Sequence, residues 1–291
     1  MDRYREGNVK KFSLLFSIIS ILCFNLSAWA SDFHSARTLG LGGAGHANPL
    51  LSDAIYLNPS YTSFIQTHSL SGNFQKFKTT DSNPNREGRI YNISVLDGAQ
   101  DSLFQAGLGF TQREDSALIH LATSKNITDH FGLGIGTKVA LPNSNPNQRF
   151  TDTSFSITAI LSESFQVALI ADNLLENGKA LNLYREFTLG TKINIKSILL
   201  IYIDPHWIPN HPANEEAIGY EVGIEIPFLS DFFLRAGRFK NSLVPFQNKR
   251  TAGFGLGAGW LGPKLSLDYG FSRVTENIQA SSHEAGITIY F

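Results

Sequence analysis

The chain lacks most of what a soluble enzyme or a redox protein would use. It has one cysteine, Cys23, and its one methionine is Met1. Cys23 lies in an apolar N-terminal stretch that reads as an export signal. The mature chain then has no cysteine for a disulfide framework or a thiolate nucleophile. Charged residues make up 17% of the chain, against about 25% in average usage. The formal net charge is -1, so there is no concentrated basic face of the kind nucleic acid requires. Beyond the N-terminal stretch no run reaches 18 apolar residues. With a mean hydropathy of -0.08, a bundle of membrane helices is excluded. No nucleophile elbow is present, and no constellation of residues supports catalysis or a cofactor. Glycine and phenylalanine are plentiful, at 25 and 22 residues. This combination fits a fold that hides apolar groups one at a time. A transmembrane β-barrel does so, because lipid-facing and lumen-facing residues alternate. A soluble all-β sandwich is the competing architecture.

The N-terminus reads as an address. Arg3, Arg5, Lys10 and Lys11 precede an apolar region from Phe12 to Leu26, and Ala28-Trp29-Ala30 is an A-x-A cleavage site. Residues 1–30 are expected to be a signal peptide cleaved after Ala30. The competing reading, an anchoring helix, is short against the roughly 20 residues of a span. A lipoprotein would need a small residue before Cys23, where Leu22 stands.

From about residue 68 the apolar period is 2, the signature of strands. Phe131, Leu133, Ile135, Val139 and Leu141 alternate with Gly132, Gly134, Gly136, Lys138 and Ala140. Phe254, Leu256, Ala258 and Trp260 alternate with Gly253, Gly255, Gly257 and Gly259. The pattern predicts strands near 68–78, 88–96, 103–111, 117–124, 131–141, 151–161, 164–171, 185–194, 197–203, 218–226, 232–239, 251–261, 264–273 and 283–291. The expected architecture is all-β, an antiparallel transmembrane barrel of about 14 strands. Connections near 79–87, 142–150, 172–184, 204–217 and 240–250 are long and polar, those between them mostly short. Outer-membrane barrels have short periplasmic turns and longer outer loops; the short 112–116 connection departs from this. His283, Ala285, Ile287, Ile289 and Phe291 share one face of the last strand. Ile287, Ile289 and Phe291 are expected to be the signal read by the barrel-assembly machinery.

Residues 31–67 do not alternate. Gly40-Leu41-Gly42-Gly43-Ala44-Gly45 matches a dinucleotide fingerprint literally, but no βαβ unit surrounds it. The run from Ala36 to Ser60, containing Ala36-Arg37, Leu39-Gly40, Gly42-Gly43-Ala44, Asp53-Ala54 and Asn58-Pro59, resembles the opening of FadL-type outer-membrane proteins. That group includes the long-chain fatty acid transporters and the PorV/PorQ-like barrels. Asp172-Asn173-Leu174, Leu234-Arg235-Ala236-Gly237, Gly253-Phe254-Gly255-Leu256-Gly257 and Leu267-Asp268-Tyr269-Gly270-Phe271 are similar too, and the likeness is closer to the PorV-like branch. The resemblance implies a 14-stranded barrel in residues 68–291 whose lumen is plugged by a hatch, residues 31–67. Gly40, Gly42, Gly43, Asn58 and Pro59 form its hatch motif. The wall glycines would provide room for the hatch by removing side chains.

Lumen-phase charges form the candidate polar cluster. Glu221 and Glu225 lie on one strand and Arg235 on the next; Lys264, Asp268 and Glu284 share the phase of the last two, and Arg37 and Asp53 are the hatch partners. These are read either as a lining that steers a ligand or as ion pairs bracing hatch and wall. His206 and His211 match no zinc spacing, so no metal site is expected. Two functions stay open. One is transport of a hydrophobic small molecule, with an apolar pocket around Leu50, Leu51, Ile55, Leu57, Trp207 and Ile208. The other is a non-conducting, PorV-like partner of a secreted or surface protein, using a loop with Trp207, Ile208, Glu215 and Glu216, since exposed aromatics anchor interfaces. Outer-membrane lipid is the expected environment in both.

Overall fold

The computed structural model describes residues 34–79, 87–98, 103–114, 116–143, 149–179, 183–211, 216–229, 231–245, 250–276 and 280–291. The expected signal peptide and its cleavage after Ala30, residues 31–33 of the expected hatch, and Glu215 lie outside them. Fourteen strands form one closed antiparallel barrel in which each pairs with its chain neighbours. They are β1 (Ser69–Thr79), β2 (Gly88–Asp97), β3 (Gln105–Arg113), β4 (Ser116–Thr128), β5 (Phe131–Pro142), β6 (Phe150–Ser162), β7 (Phe165–Asp172), β8 (Glu186–Ile195), β9 (Leu199–Trp207), β10 (Ile218–Phe228), β11 (Phe232–Ser242), β12 (Thr251–Leu261), β13 (Leu265–Val274) and β14 (Ala280–Tyr290). The expected architecture and strand number are found. Closure is made by β1 and β14, in register from Ser69 opposite Tyr290 to Thr79 opposite Ala280. No sheet edge is then left unpaired, as a bilayer demands.

The alternation sets the two faces. Leu108, Leu121, Ile135, Leu189, Leu234, Leu256 and Ile287 point outward and are exposed. Ser71, Gln75, Asn92, Thr111, Ser156 and Thr158 point inward and are buried. Phe131, Phe165 and Phe232 start strands, and Phe228 and Trp260 sit at strand ends. All five lie beside the short turns, an aromatic girdle at one rim of the apolar band. At the other rim, the loop end, the rings of Phe187 and Trp207 stack 5.7 Å apart.

Two boundaries differ from expectation for identifiable reasons. β9 runs through Pro205 to Trp207 rather than stopping at residue 203. Proline cannot donate to a ladder, and pairing with β8 skips two positions between Thr188–His206 and Thr191–Ile203 without a change of register. Asp204 Oδ1 accepts the Thr191 N–H at 3.1 Å in place of a ladder partner. Lys264, expected on the lumen face, lies exposed in the turn before β13 because Gly262 and Pro263 end the alternation there.

Residues 34–67 lie inside the barrel as short helices: α1 (Ala36–Gly40), a 3-10 turn (Leu51–Asp53), α2 (Ala54–Leu57) and a 3-10 helix (Pro59–Phe64). Ser35 caps α1, its Oγ accepting the Thr38 N–H at 3.3 Å, and Pro59 opens the last helix with its φ already fixed. Gly42 and Gly43 turn the chain at φ +66° and +91°, a region that suits glycine.

A lane of glycines seats this hatch. Gly223 on β10 pairs with Gly237 on β11, Gly237 pairs with Gly255 on β12, and Gly257 pairs with Gly270 on β13. A Cβ on Gly237 would overlap the Leu41 carbonyl, and one on Gly255 the Leu39 carbonyl. α1 and its following turn therefore lie backbone to backbone on the wall. A second bare patch, Gly134 and Gly136 on β5, faces Pro59 and Ser60.

Candidate functional site

Hydrogen bonds tie the hatch to the wall at two heights. Near the short-turn end, Arg37 reaches Glu225 Oε2 with Nε at 3.3 Å and donates from Nη2 to the Tyr202 hydroxyl at 2.9 Å. Arg235 Nε donates to the same Glu225 oxygen at 2.6 Å, and its Nη1 to Asp268 Oδ1 at 2.5 Å. Two guanidiniums thus share one buried carboxylate, each with a further partner. Burial opposes the charge of Arg37, but Glu225, Tyr202 and Asp53 outweigh it and hold the group well above its ordinary pKa. Asp53 accepts from Ser35 Oγ at 2.8 Å. Burial pushes its carboxyl up to about 6, against the opposing pull of Arg37 and Ser35.

The remaining two predicted charges stand apart. Glu284 is 1% exposed, and neither of its carboxylate oxygens has a hydrogen-bond partner among the described residues. Glu221 lies toward the loop end, where it meets His46 and Asp204. Neither of those two was singled out in the sequence. Asp204 Oδ2 accepts the Gly45 and His46 N–H groups at 2.7 and 2.9 Å and pairs with His46 Nδ1 at 2.9 Å. Burial lowers the pKa of His46, but the Asp204 bond and the charges of Asp204, Glu221 and Glu186 prevail and raise it to about 9.

In the hatch motif, Gly40 meets the Gly257 backbone. Asn58 Nδ2 donates to the His46 carbonyl and to Thr158 Oγ1, both at 2.8 Å. One side-chain amide thus joins two parts of the hatch to β6. The Ser60 N–H donates to Ser156 Oγ at 2.8 Å.

Above the hatch, at the loop end, lies a cavity of about 90 Å³ lined by His46, Tyr56, Leu57, Glu186, Glu221 and Arg250 among others. Arg250 Nη2 donates to Glu186 Oε2 at 2.5 Å along its rim. A neighbouring cavity of about 30 Å³ shares His34, Glu221, Ser242 and Leu243 with the first, and its wall holds Leu39, Phe77, Phe239, Val244 and Pro245. Phe77, Phe239 and Val244 belong to one apolar cluster with Ile90, Val274 and Ala280, against which Tyr56 packs. The mouth is half charged and half apolar. Both volumes fall short of the roughly 150 Å³ that holds a benzene in a protein core, so a ligand of that size must displace hatch or loop residues to enter.

No protein-family model and no curated protein matches the sequence. Solved structures do match in fold. The CymD monoaromatic hydrocarbon channel superposes with a TM-score of 0.64 at 12% identity, over 91% of this chain and 98% of that one. The Ralstonia pickettii toluene transporter TbuX gives 0.60 at 11%, over 92% and 99%. A Pseudomonas aeruginosa FadL homologue gives 0.58 at 10%, over 91% and 99%. The chain shares the fold of FadL-type channels.

The six-residue apolar pocket expected from sequence does not assemble. Leu50 and Leu51 line a small polar cavity near the short-turn end with Ser71 and Thr288, and Ile55 packs beside Leu96. Trp207 is 50% exposed on the outer rim, whereas Ile208 is fully buried. Glu216 pairs with Lys240 at 2.8 Å. The side chains of the expected partner loop therefore face three directions, since β9 continues through Trp207 and flips alternate residues across the wall. Ile287, Ile289 and Phe291 all face outward and are exposed on β14 and its end.

Proposed function

We propose that this chain is a bacterial outer-membrane barrel that admits small hydrophobic molecules from the loop side, with the hatch as its gate. The observation that carries this reading is the apolar half of the mouth. Phe77 and Phe239 on the lumen side of the wall and Val244 just past β11 bury their side chains together, where most lumen-facing residues are polar or small. An apolar pocket with a few polar anchors is how proteins bind such ligands, and His34 and Glu221 at the shared border supply the anchors. Support comes also from the folds it resembles, two of which are described as carriers of monoaromatic hydrocarbon and toluene. The lipid-facing band and the aromatic girdles fit residence in that membrane. The PorV-like alternative rests on the outer loops; Trp207, its aromatic candidate, stacks on Phe187 in the girdle at the loop-end rim.

The test is uptake. Gram-negative cells lacking a channel of this kind would produce the chain, and entry of a labelled monoaromatic hydrocarbon would be compared with that of a long-chain fatty acid. Uptake of either above the empty-vector rate is expected. Phe239→Arg should return it to that rate while the barrel stays folded. No excess uptake of either compound would overturn the reading, and loss of a surface protein on deleting the gene would favour the assembly role.

A further inference from the structure

The contact between His46, Asp204 and Glu221 has a feature that hatch anchoring does not require. Asp204 on β9 and Glu221 on β10 are directly opposed across the ladder, and both point into the lumen. Like charges in that position destabilise a sheet. Here they are also out of water, at 0% and 7% exposure. Asp204 is well provided for, with three backbone N–H donors from Gly45, His46 and Thr191. Glu221 is not: its carboxylate makes no hydrogen bond among the described residues, and its nearest cation is His46 Nδ1 at 3.7 Å. The glutamate borders the 90 Å³ cavity.

The three ligand-type atoms lie within 4.8 Å of one another. Bonds of about 2.0–2.2 Å to one tetrahedral ion place neighbouring ligand atoms roughly 3.3–3.6 Å apart. Two of the three separations, 2.9 and 3.7 Å, bracket that range and the third lies within 4.8 Å, so side-chain rotations would complete the site. A carboxylate offers about four acceptor positions; on Asp204 the Gly45 and His46 N–H groups occupy Oδ2 and the Thr191 N–H takes one position on Oδ1, so the position left for an ion is on Oδ1. Those donors hold the carboxylate in a fixed orientation, as outer-shell partners do at metal centres. Gly43, without a side chain and at φ +91°, leaves room for the Glu221 carboxylate, which a Cβ there would crowd at 2.7 Å. Charge points the same way. Two carboxylates, a neutral imidazole and a divalent ion sum to zero.

We propose that His46, Asp204 and Glu221 bind one divalent first-row transition ion of the zinc class, joining the hatch to β9 and β10. The mixed nitrogen and oxygen donor set selects such an ion over magnesium or calcium, which take oxygen ligands. Three protein ligands beside a cavity leave a position open to water or to an anionic group on an incoming molecule. The ion would make hatch seating depend on metal supply, a control separate from the uptake reading above.

The experiment uses the full mature chain in detergent, purified on a tag without histidine and stripped with EDTA. Zinc is titrated by calorimetry, and cobalt is followed by its visible d–d absorption. One equivalent of zinc per chain is expected, with a cobalt spectrum of low-coordinate N/O type. Glu221→Gln keeps size and shape and should weaken binding at least about 100-fold; His46→Asn is the second variant should the first not fold. Heat-modified gel mobility reports folding of each. No saturable binding to the wild-type chain overturns the proposal. Undiminished binding in a folded variant also overturns it, because the ion would then sit elsewhere. Neither result bears on uptake, which is scored by transport.

Discussion

Adding one methyl group to the glycine lane tests whether the hatch is held by backbone contact. In Gly237→Ala the new Cβ would fall on the carbonyl carbon and oxygen of Leu41 and crowd the Gly42 nitrogen at 2.7 Å. All three are backbone atoms, so no side chain can rotate away. Overpacking of this kind costs about 1–3 kcal/mol, and the rigid neighbours put Gly237 at the upper end. The barrel can avoid the cost by expelling the hatch, since its own ladders involve none of these atoms. At 1.4 kcal/mol per tenfold, about 3 kcal/mol raises the population with a displaced hatch roughly 100-fold. Gly72→Ala is the control: it faces outward, and its nearest atom would be 3.8 Å away. Two assays read the outcome. Single-channel recording in planar bilayers should show larger or more frequent openings in Gly237→Ala than in Gly72→Ala. Thermal unfolding, read by gel mobility, should give similar midpoints for the two barrels. Identical conductance in both variants would refute backbone seating of the hatch on this lane.

Two other perturbations address the hatch anchors. Glu225→Gln leaves Arg37 and Arg235 facing each other without their shared carboxylate. Hatch stability should fall by about 3 kcal/mol, measured as protease resistance of residues 34–67, and a cycle with Arg37→Met should show coupling of about 1–3 kcal/mol. For Asp53, the folded carboxyl sits at about 6 against an ordinary 3.8. The folded state binds the extra proton between those values, so the contribution is fully present below about 3.8 and lost as pH rises through 6. Hatch melting followed from pH 3.5 to 7.5 should therefore weaken across that window by at most about 2 kcal/mol, allowing for partial exposure. Asp53→Asn should remove the slope, and an unchanged slope would place the titration on another group.

Period-2 alternation made the barrel readable because each strand must show lipid a greasy face. It also told which strand charges face inward, with Lys264, displaced into a turn, the exception. It did not tell how high they sit. A strand rises about 3.3 Å per residue, so Glu221, four residues before Glu225, lies roughly 13 Å away along β10. That distance separates the Arg37 network from the His46 contact. Height across strands depends on register, which follows from loop geometry that the sequence leaves free. The glycines were legible as room for the hatch along single strands, but not as a lane, for the same reason. Gly255 stands out along β12, but its alignment with Gly237 and Gly223 exists only after three strands are paired.

The apolar mouth could have been found by inverting the usual question. On a lipid-facing phase a large apolar side chain carries no information, since the membrane requires it. On the lumen phase of a barrel whose interior is polar it is the exception. Phe77, Ile90, Phe239 and Val274 are such exceptions, each within a few residues of a loop-end strand terminus. Taken strand by strand they read as irregular alternation. Taken together they share one phase and one end, and strand pairing brings them into one cluster with Val244 and Ala280. Leu50, Leu51 and Trp207 share hydrophobicity but neither phase nor end, and so they line no common pocket. In a closed barrel those two coordinates decide whether an apolar side chain meets lipid, hatch or ligand.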